Sequence, residues 1–257
     1  MEETNVLLSE FADGVLTLTL NRPKVNAFNF TLIAALQAAL KKAARDDQVR
    51  CVLLTGSGNV FSAGQDISNF SREVGSYRYH LLRTYNPLVM QIRQLEKPVL
   101  AAINGVVSGA ALGLALACDL RIAANTARFV VGFGGIGLAP DTAVSLLLPM
   151  LIGLGRAAEL TFTNAPISAE QALAWGMVNR IVPAAELPEM MHTWAKELAE
   201  GPVGAMALAK RAFNRAVLAN LEEVLDYEGH LQEIASQRPE HKEGVSAFFD
   251  KRPPKYL

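Results

Sequence analysis

The segment between Lys97 and Asp119 constrains the fold of this chain more than any other feature, because 21 consecutive residues carry no charge. An uncharged run of about 20 residues is the usual length of a membrane-spanning helix. A proline, an asparagine and a serine interrupt the run, although the spacing of Gly105, Gly109 and Gly113 matches a helix-packing pattern of membrane dimers. A membrane span is therefore one interpretation, and the composition of the segment argues against it.

Two further interpretations place the same segment in the interior of a globular protein. One is a single buried helix. The other divides the segment into a buried parallel strand at Val99–Ile103, a turn at residues 104–105 and a small-residue helix that begins near Gly109. A strand that leads into a glycine-rich helix start leaves backbone N–H groups unpaired and directed at a ligand. We favour this last interpretation because it gives the turn a chemical role.

The composition predicts a large buried core and excludes several functional classes. Hydrophobic residues make up 51% of the 257 residues and charged residues 19%, which fits one large α/β domain or two small ones. The net charge of −1 predicts no nucleic acid and no membrane partner. Cys51 and Cys118 lie in apolar runs without CxxC spacing, which predicts buried free thiols. The first residues, MEETN, lack a secretory signal, so we expect a cytoplasmic protein.

The order of the elements predicts an α/β core with a helical C-terminal extension. Residues 6–11 and Val15–Leu20 read as an antiparallel hairpin, and residues 31–45 as an amphipathic helix. Residues 51–55 form a continuous apolar strand, and residues 67–95 have a helical period. The pattern from residue 186 to residue 237 is helical, with a break at residues 201–202. Strands thus dominate the first half of the chain and helices the second.

The motifs argue against a metal site, show no nucleotide-binding fingerprint and leave two small-residue turns. The four histidines lack metal-ligand spacing, and the chain contains neither GxGxxG nor a Walker A motif. Residues 63–65 and 108–110 form small turns that each follow a strand, and Asp141 follows a glycine-rich segment. Two backbone N–H donors that converge on one oxygen make an oxyanion hole, and small side chains let a carbonyl approach the main chain.

Four segments together resemble the enoyl-CoA hydratase/isomerase, or crotonase, superfamily, namely residues 61–67, 97–105, 115–119 and 167–172. The resemblance covers nearly the whole chain. It implies a crotonase-like ββα superhelix, an acyl-CoA thioester substrate, and a homotrimer or a dimer of trimers. It implies no cofactor beyond the coenzyme A moiety of the substrate. The resemblance also divides the chain into a core at residues 1–200 and a helical region at residues 201–257 that serves trimerisation or covers the site.

The resemblance assigns functional residues by position. The two oxyanion donors fall on the N–H groups of Gln65 and Ala110. The segment at residues 24–27 is one residue shorter than the commoner form of the family. The residues implied to contact coenzyme A are Lys24, Val25, Ala27, Ala63, Gln65, Asp66, Ile67 and Ala110.

The carboxylates of the family distinguish hydratases from isomerases. The two hydratase glutamates would fall on Gly113 and Phe133, which cannot transfer protons. Asp141 stands where isomerases of the phenylacetate-pathway type carry an aspartate. The resemblance therefore favours an acyl-CoA double-bond isomerase in which Asp141 moves a proton between the two ends of an allylic system. We expect burial to raise the pKa of Asp141.

Several alternatives remain open at this point. Asp141 could instead cap a helix that begins near Thr142. The protein could be a hydratase with an atypical carboxylate, or a degenerate subunit that only binds acyl-CoA. Tyr77, Tyr79 and Tyr85 are expected to line the acyl pocket, because their segment follows the first oxyanion turn.

Overall fold

The computed structural model describes residues 5–68 and 75–256. The strands in these residues, numbered along the chain, are β1 Leu7–Ala12, β2 Val15–Leu20, β3 Cys51–Gly56, β4 Val60–Ser62, β5 Val99–Ile103, β6 Val106–Ser108, β7 Leu120–Ala124, β8 Arg128–Val130, β9 Ile167–Ser168 and β10 Arg180–Val182. Six of them form one sheet in the order β1-β2-β3-β5-β7-β10, and the other four form a second sheet in the order β4-β6-β8-β9. β1 pairs antiparallel with β2, and the remaining neighbours in the larger sheet are parallel.

Three successive strand pairs, β3 with β4, β5 with β6 and β7 with β8, repeat one arrangement. The first strand of each pair lies in the larger sheet and the second in the smaller sheet. Helical segments follow each pair. This is the predicted α/β class with a repeating ββα arrangement, and the fold prediction is confirmed.

The described helices, in chain order, are α1 Phe30–Arg45, α2 Tyr77–Arg83, α3 Tyr85–Gln94, α4 Ala110–Ala117, α5 Val144–Ile152, α6 Leu154–Thr163, α7 Ala169–Ala174, α8 Leu187–Glu200, α9 Val203–Val217, α10 Leu221–Ser236 and α11 Pro239–Phe249, together with a 3-10 helix at Gly134–Ile136. Helices α8 to α11 form the predicted C-terminal extension. α11 lies beyond residue 237, where the helical pattern was read to end, but within the helical region at residues 201–257 that the resemblance implies. The segment at residues 69–74, part of the predicted helical pattern, lies outside the described residues.

The larger sheet is covered on both faces, which explains the uninterrupted apolar sequence of its central strands. Cys51 and Leu53 of β3 pack with Trp194 of α8 on one face. Val52 and Leu54 point to the main core on the other face. Both cysteines are buried and free, as predicted, and burial raises the pKa of each thiol to about 12.

The uncharged segment forms a strand, a turn and a helix, as the favoured interpretation predicted. β5 is buried throughout, and every residue of α4 is buried as well. The short strand β6 between them was not predicted, because three residues are too few for a periodic pattern. Within the described parts of the chain, no helix has the length and apolar character that a bilayer crossing requires.

An ionic cluster anchors the end of this segment. Asp119 Oδ1 pairs with Arg93 Nη1 at 3.0 Å, and Asp119 Oδ2 pairs with Lys210 Nζ at 2.7 Å. The backbone N–H of Val99 also donates to Asp119 Oδ2 at 2.9 Å. The carboxylate therefore joins the start of β5, helix α3 and helix α9.

Candidate functional site

A cavity of about 530 Å³ opens where the two predicted turns meet the C-terminal helices. Its walls come from the turn after β4, the start of α4, the segment that precedes α5, and helices α2, α3, α10 and α11. Most of the lining is apolar or aromatic, which suits an acyl group.

The backbone N–H of Gln65 is directed away from its neighbouring segment. Phe28 forms a parallel bridge with Gln65, in which Phe28 N donates to Gly64 O at 2.7 Å and Asp66 N donates to Phe28 O at 2.8 Å. This pattern uses the groups on either side of Gln65 and leaves its own N–H on the opposite side. That N–H donates no hydrogen bond within residues 5–68 and 75–256.

The backbone N–H of Ala110 is unpaired for a different reason. Ala110 is the first residue of α4, and the first N–H groups of a helix have no partner within the helix. Its preceding residue, Gly109, offers no side chain to cap it, and the Ala110 N–H donates to no other group in the described chain.

Gly64 brings the two turns into contact. It adopts a φ of +85°, and a Cβ atom at this position would lie 2.7 Å from Ser108 O and 3.4 Å from Ala110 N. A larger residue would therefore separate the turns. Gln65 and Ala110 both line the cavity, so their unpaired N–H groups lie at the same end of it.

Asp141 supplies a buried carboxylate to the same cavity. The hydroxyl of Thr142 donates to Asp141 Oδ1 and Gln232 Nε2 donates to Asp141 Oδ2, both at 2.6 Å. Burial raises the pKa of Asp141 to about 6, and the two hydrogen bonds only partly oppose this shift. The alternative that Asp141 caps a helix is wrong, because α5 begins at Val144 and no main-chain N–H of the described residues donates to this carboxylate.

The two positions where a hydratase would carry glutamates are filled in other ways. A Cβ atom on Gly113 would lie 2.4 Å from Thr142 O and 2.8 Å from Thr142 Cβ. A glutamate there would displace the backbone beside Asp141. Phe133 lines the cavity with an apolar ring.

Sequence reasoning missed a second buried carboxylate, Glu228 of α10. Its oxygens accept from Ala143 N at 2.8 Å and Ser145 N at 3.0 Å, and from the Ser145 hydroxyl. Burial raises the pKa of Glu228 to about 7, and the negative charge of Asp141 adds to that shift while the hydrogen bonds oppose it. The available signal was periodicity, since Glu228 and Gln232 continue the buried stripe of Leu221 and Leu225 along α10.

The side chain of Gln65 is held in place behind its turn. Tyr85 donates its hydroxyl to Gln65 Oε1 at 2.6 Å, while Gln65 Nε2 donates to the carbonyls of Phe28 at 3.1 Å and Asp66 at 3.0 Å. Burial lowers the pKa of the nearby His80 to about 4, so this imidazole is neutral at physiological pH.

Two of the three tyrosines that were expected at an acyl pocket lie at this cavity. Tyr77 and Tyr85 line the cavity. Tyr79 lies outside its lining, is 57% exposed and packs against the guanidinium of Arg83, so that expectation is wrong. α2 has its residues 77, 80 and 81 on the cavity side, and residue 79 points to another face of the helix.

Seven of the eight residues implied to contact coenzyme A line the cavity, and Lys24 is exposed outside the lining. The carboxylate of Asp66 accepts from Arg22 at 2.7 Å and from the hydroxyl of Ser68 at 2.6 Å. It therefore stabilises the turn after β4. The roles of these residues toward coenzyme A stay predictions.

Helix α11 closes one side of the cavity. His241 Nδ1 lies 2.7 Å from Ile136 O, and its Nε2 lies 2.7 Å from the Tyr77 hydroxyl. Because a carbonyl only accepts, Nδ1 carries the hydrogen. α10 and α11 thus cover the site, while a division of the chain at residue 200 and a trimerisation role stay predictions.

The repeating ββα fold and the mostly apolar cavity beside two turns that follow strands are the features of an enzyme that binds an acyl group. The chain belongs to the enoyl-CoA hydratase/isomerase family, whose model matches residues 10–257. It is therefore an enzyme of the acyl-CoA isomerase and hydratase type. Within the described residues, no cluster of three or more His, Cys, Asp or Glu side chains is arranged to hold a metal ion.

Individual relatives include both isomerases and hydratases. A 1,2-epoxyphenylacetyl-CoA isomerase from Escherichia coli is 41% identical over 97% of each chain. A probable enoyl-CoA hydratase from Rhodobacter capsulatus is 38% identical over 96% of each chain. Among solved structures, an enoyl-CoA hydratase from Mycobacterium avium subsp. paratuberculosis superposes with a TM-score of 0.90 at 32% identity, covering 99% of each chain.

Proposed function

We propose that this enzyme is an acyl-CoA double-bond isomerase that converts β,γ-unsaturated thioesters to α,β-unsaturated ones. The observation that carries the proposal is the composition of the cavity. Asp141 and two unpaired N–H groups line it, while Gly113 and Phe133 stand where a hydratase would carry glutamates.

In this mechanism the thioester oxygen accepts hydrogen bonds from the N–H groups of Gln65 and Ala110. Ionised Asp141 removes a proton from Cα, and the electrons of that C–H bond delocalise over the β,γ double bond and the thioester as a dienolate. The two N–H groups stabilise the developing charge on oxygen, an effect worth about 3–4 kcal/mol for one such donor. Protonated Asp141 then returns the proton to Cγ, and the double bond lies between Cα and Cβ.

One carboxylate suffices for this reaction because the same proton leaves and returns. A pKa of about 6 leaves most of Asp141 ionised at pH 7 and ready to accept a proton. Its conjugate acid is also strong enough to release that proton to the dienolate. Hydration would need a second group to activate water, and the family positions for such groups are Gly113 and Phe133.

The assay that tests the proposal uses two substrates with the purified protein. A 3-enoyl-CoA should gain the ultraviolet absorbance of a conjugated thioester, and a 2-enoyl-CoA should keep it. Loss of absorbance from the 2-enoyl-CoA would instead show a hydratase with an atypical carboxylate. No change with either substrate would show a protein that only binds acyl-CoA, and either result would overturn the proposal.

The proposal includes the binding partners that the family suggests. Val25, Ala27, Ala63 and Ile67 would contact the coenzyme A moiety, and the reaction requires no further cofactor. The protein would assemble as a homotrimer or a dimer of trimers. Sedimentation equilibrium measures the assembly, and a monomer at micromolar concentration would contradict that part.

A further inference from the structure

The segment that carries Asp141 has an unfavourable backbone conformation. Thr142 and Ala143 adopt φ values of +56° and +64°, in the left-handed region that residues with a Cβ atom rarely occupy. Two such residues in succession persist only where the surrounding structure holds them, and strain of this kind clusters at functional sites. The contacts that hold this turn therefore also determine where the Asp141 carboxylate points.

Glu228 makes the contacts that hold the turn. Its carboxylate accepts from Ala143 N at 2.8 Å and from Ser145 N at 3.0 Å, which fixes the backbone on the C-terminal side of the strained pair. Glu228 is 1% exposed, and no Lys, Arg or His of the described chain forms an ion pair with it. Burying a carboxylate without a cation beside it lowers the stability of the fold, so stability alone does not explain this residue.

Gln232, one helical turn further along α10, holds the carboxylate itself. Its Nε2 donates to Asp141 Oδ2 at 2.6 Å. Its Oε1 is buried and has no hydrogen-bond partner among residues 5–68 and 75–256. An unpaired buried amide oxygen is unfavourable. The side chain is therefore directed at Asp141 despite the loss of a hydrogen bond elsewhere.

We propose that Glu228 and Gln232 are positioning residues for proton transfer, with Glu228 holding the left-handed turn at Thr142–Ala143 and Gln232 orienting the Asp141 carboxylate. The inference rests on the proposed function, because it requires Asp141 to be the proton-transfer group. Neither residue transfers a proton itself, and Glu228 does not line the cavity.

The first test is Glu228→Gln, which keeps the size of the side chain but cannot accept from two backbone N–H groups with equal strength. A displacement of about 1 Å at a catalytic group typically lowers the rate about 100-fold. We expect kcat to fall about 10- to 100-fold and KM to change less than about twofold. Glu222→Gln is the matched control, since Glu222 is exposed on the same helix, and it should keep wild-type kcat.

Kinetic constants in these variants are normalised to competent sites, counted by calorimetric titration with a saturated acyl-CoA. This step removes the effect of a smaller folded fraction. Should Glu228→Gln fail to fold, Ser145→Ala and Gln232→Ala test the same proposal. Ser145→Ala removes only one hydroxyl donor to Glu228 and should lower kcat about two- to fivefold, while Gln232→Ala should lower it about tenfold.

The decisive test is rescue of Glu228→Gln by Ala143→Gly. Glycine adopts a φ of +64° without strain, so the turn should hold its shape with less help from residue 228. We expect the double variant to recover at least about threefold in kcat over Glu228→Gln alone. The control for an added glycine is Ala157→Gly. Ala157 lies in α6 with ordinary helical geometry, so this substitution should give no recovery.

The outcomes separate this inference from the proposed function. If the wild type does not isomerise 3-enoyl-CoA, the proposed function fails. If the wild type is active, Asp141→Asn is inactive and Glu228→Gln keeps kcat within twofold, only the positioning role is overturned. A kcat loss in Glu228→Gln that Ala143→Gly does not relieve also overturns it, because the turn would not be the route of the effect.

Discussion

Two aspartates in this molecule, the half-buried Asp119 and the buried Asp141, have opposite surroundings. Asp119 is paired with the cations of Arg93 and Lys210. Asp141 is surrounded by the neutral donors of Thr142 and Gln232. Cations hold a carboxylate in its charged form, whereas burial among neutral groups raises its affinity for a proton. The first arrangement suits a structural joint, and the second suits a group that must accept and release a proton.

Glu228 extends this contrast on the side of Asp141. Two acids share one buried region there, with pKa values raised to about 6 and about 7. Beside Asp119, burial lowers the pKa of the partner Lys210. The protein thus places ionisable groups in unfavourable surroundings in both regions, and of the two acids beside the cavity only Asp141 lines it.

The largest expected effect is a difference in kcat between substitutions of the two aspartates. Asp141→Asn should lower kcat for 3-enoyl-CoA isomerisation about 10³- to 10⁴-fold, because a positioned base contributes up to about 10⁴. Affinity for a saturated acyl-CoA, measured by calorimetry, should change less than about threefold. Asp119→Asn serves as the control and should keep kcat per competent site. Turnover retained by Asp141→Asn would remove Asp141 from the mechanism.

The second prediction concerns backbone N–H groups, which are paired around Asp119 and unpaired at the cavity. Ala110→Pro removes one N–H at the first position of α4, where proline is compatible with a helix. We expect kcat/KM to fall about 10²- to 10³-fold with unchanged secondary structure by circular dichroism. Leu154→Pro, also the first residue of a helix and also preceded by glycine, should be near wild type. An active Ala110→Pro enzyme would argue against the oxyanion hole.

The third prediction is that the same substitution, aspartate to asparagine, changes the free energy of unfolding in opposite directions at the two positions. Asp119→Asn should lower the free energy of unfolding by about 2–4 kcal/mol, because it leaves the cations of Arg93 and Lys210 unpaired. Asp141→Asn should raise it at pH 8. The pKa of Asp141 rises from 3.8 to about 6, which corresponds to a penalty of up to about 3 kcal/mol above both values.

The pH dependence of that stability difference follows from the raised pKa. Below about pH 4 the Asp141 carboxyl is protonated in both folded and unfolded states, so Asp141→Asn should change stability little. The advantage of the variant should grow as the pH rises from about 4 to about 6 and then stay constant. Urea denaturation at several pH values measures it, and equal effects at pH 3.5 and pH 8 would contradict the raised pKa.

The smallest expected effect is the pH profile of the reaction. Asp141 accepts a proton only when ionised, so kcat/KM should fall about tenfold per pH unit below about pH 6. The activity of Asp119→Asn per competent site should follow the same profile, since that residue does not line the cavity. A profile that stays flat down to pH 4.5 would assign the proton transfer to another group.

The sequence by itself predicted the elements whose residues are close together along the chain. The hairpin over Val15–Leu20, the strand Val99–Ile103 and the helix start at Ala110 were all found from local patterns. The motif resemblance placed Gln65, Ala110 and Asp141, and the fold lines all three along one cavity. The predictions of the strands and of the helix start succeeded because apolar periodicity and glycine turns encode short-range structure directly, while the catalytic roles of the three residues stay predictions.

Only the tertiary structure decided how Asp141 behaves. Sequence left open whether it caps a helix, and it indicated neither Glu228 nor Gln232. Gln232 lies 91 residues from Asp141 along the chain, and Glu228 lies 85 residues from Ala143. The proton affinity of a buried acid depends on every dipole, charge and apolar group around it, and here those groups come from distant helices. The motifs therefore indicated which residues line the cavity, while the surroundings and the orientation of Asp141 came from the packing of α10 onto the core.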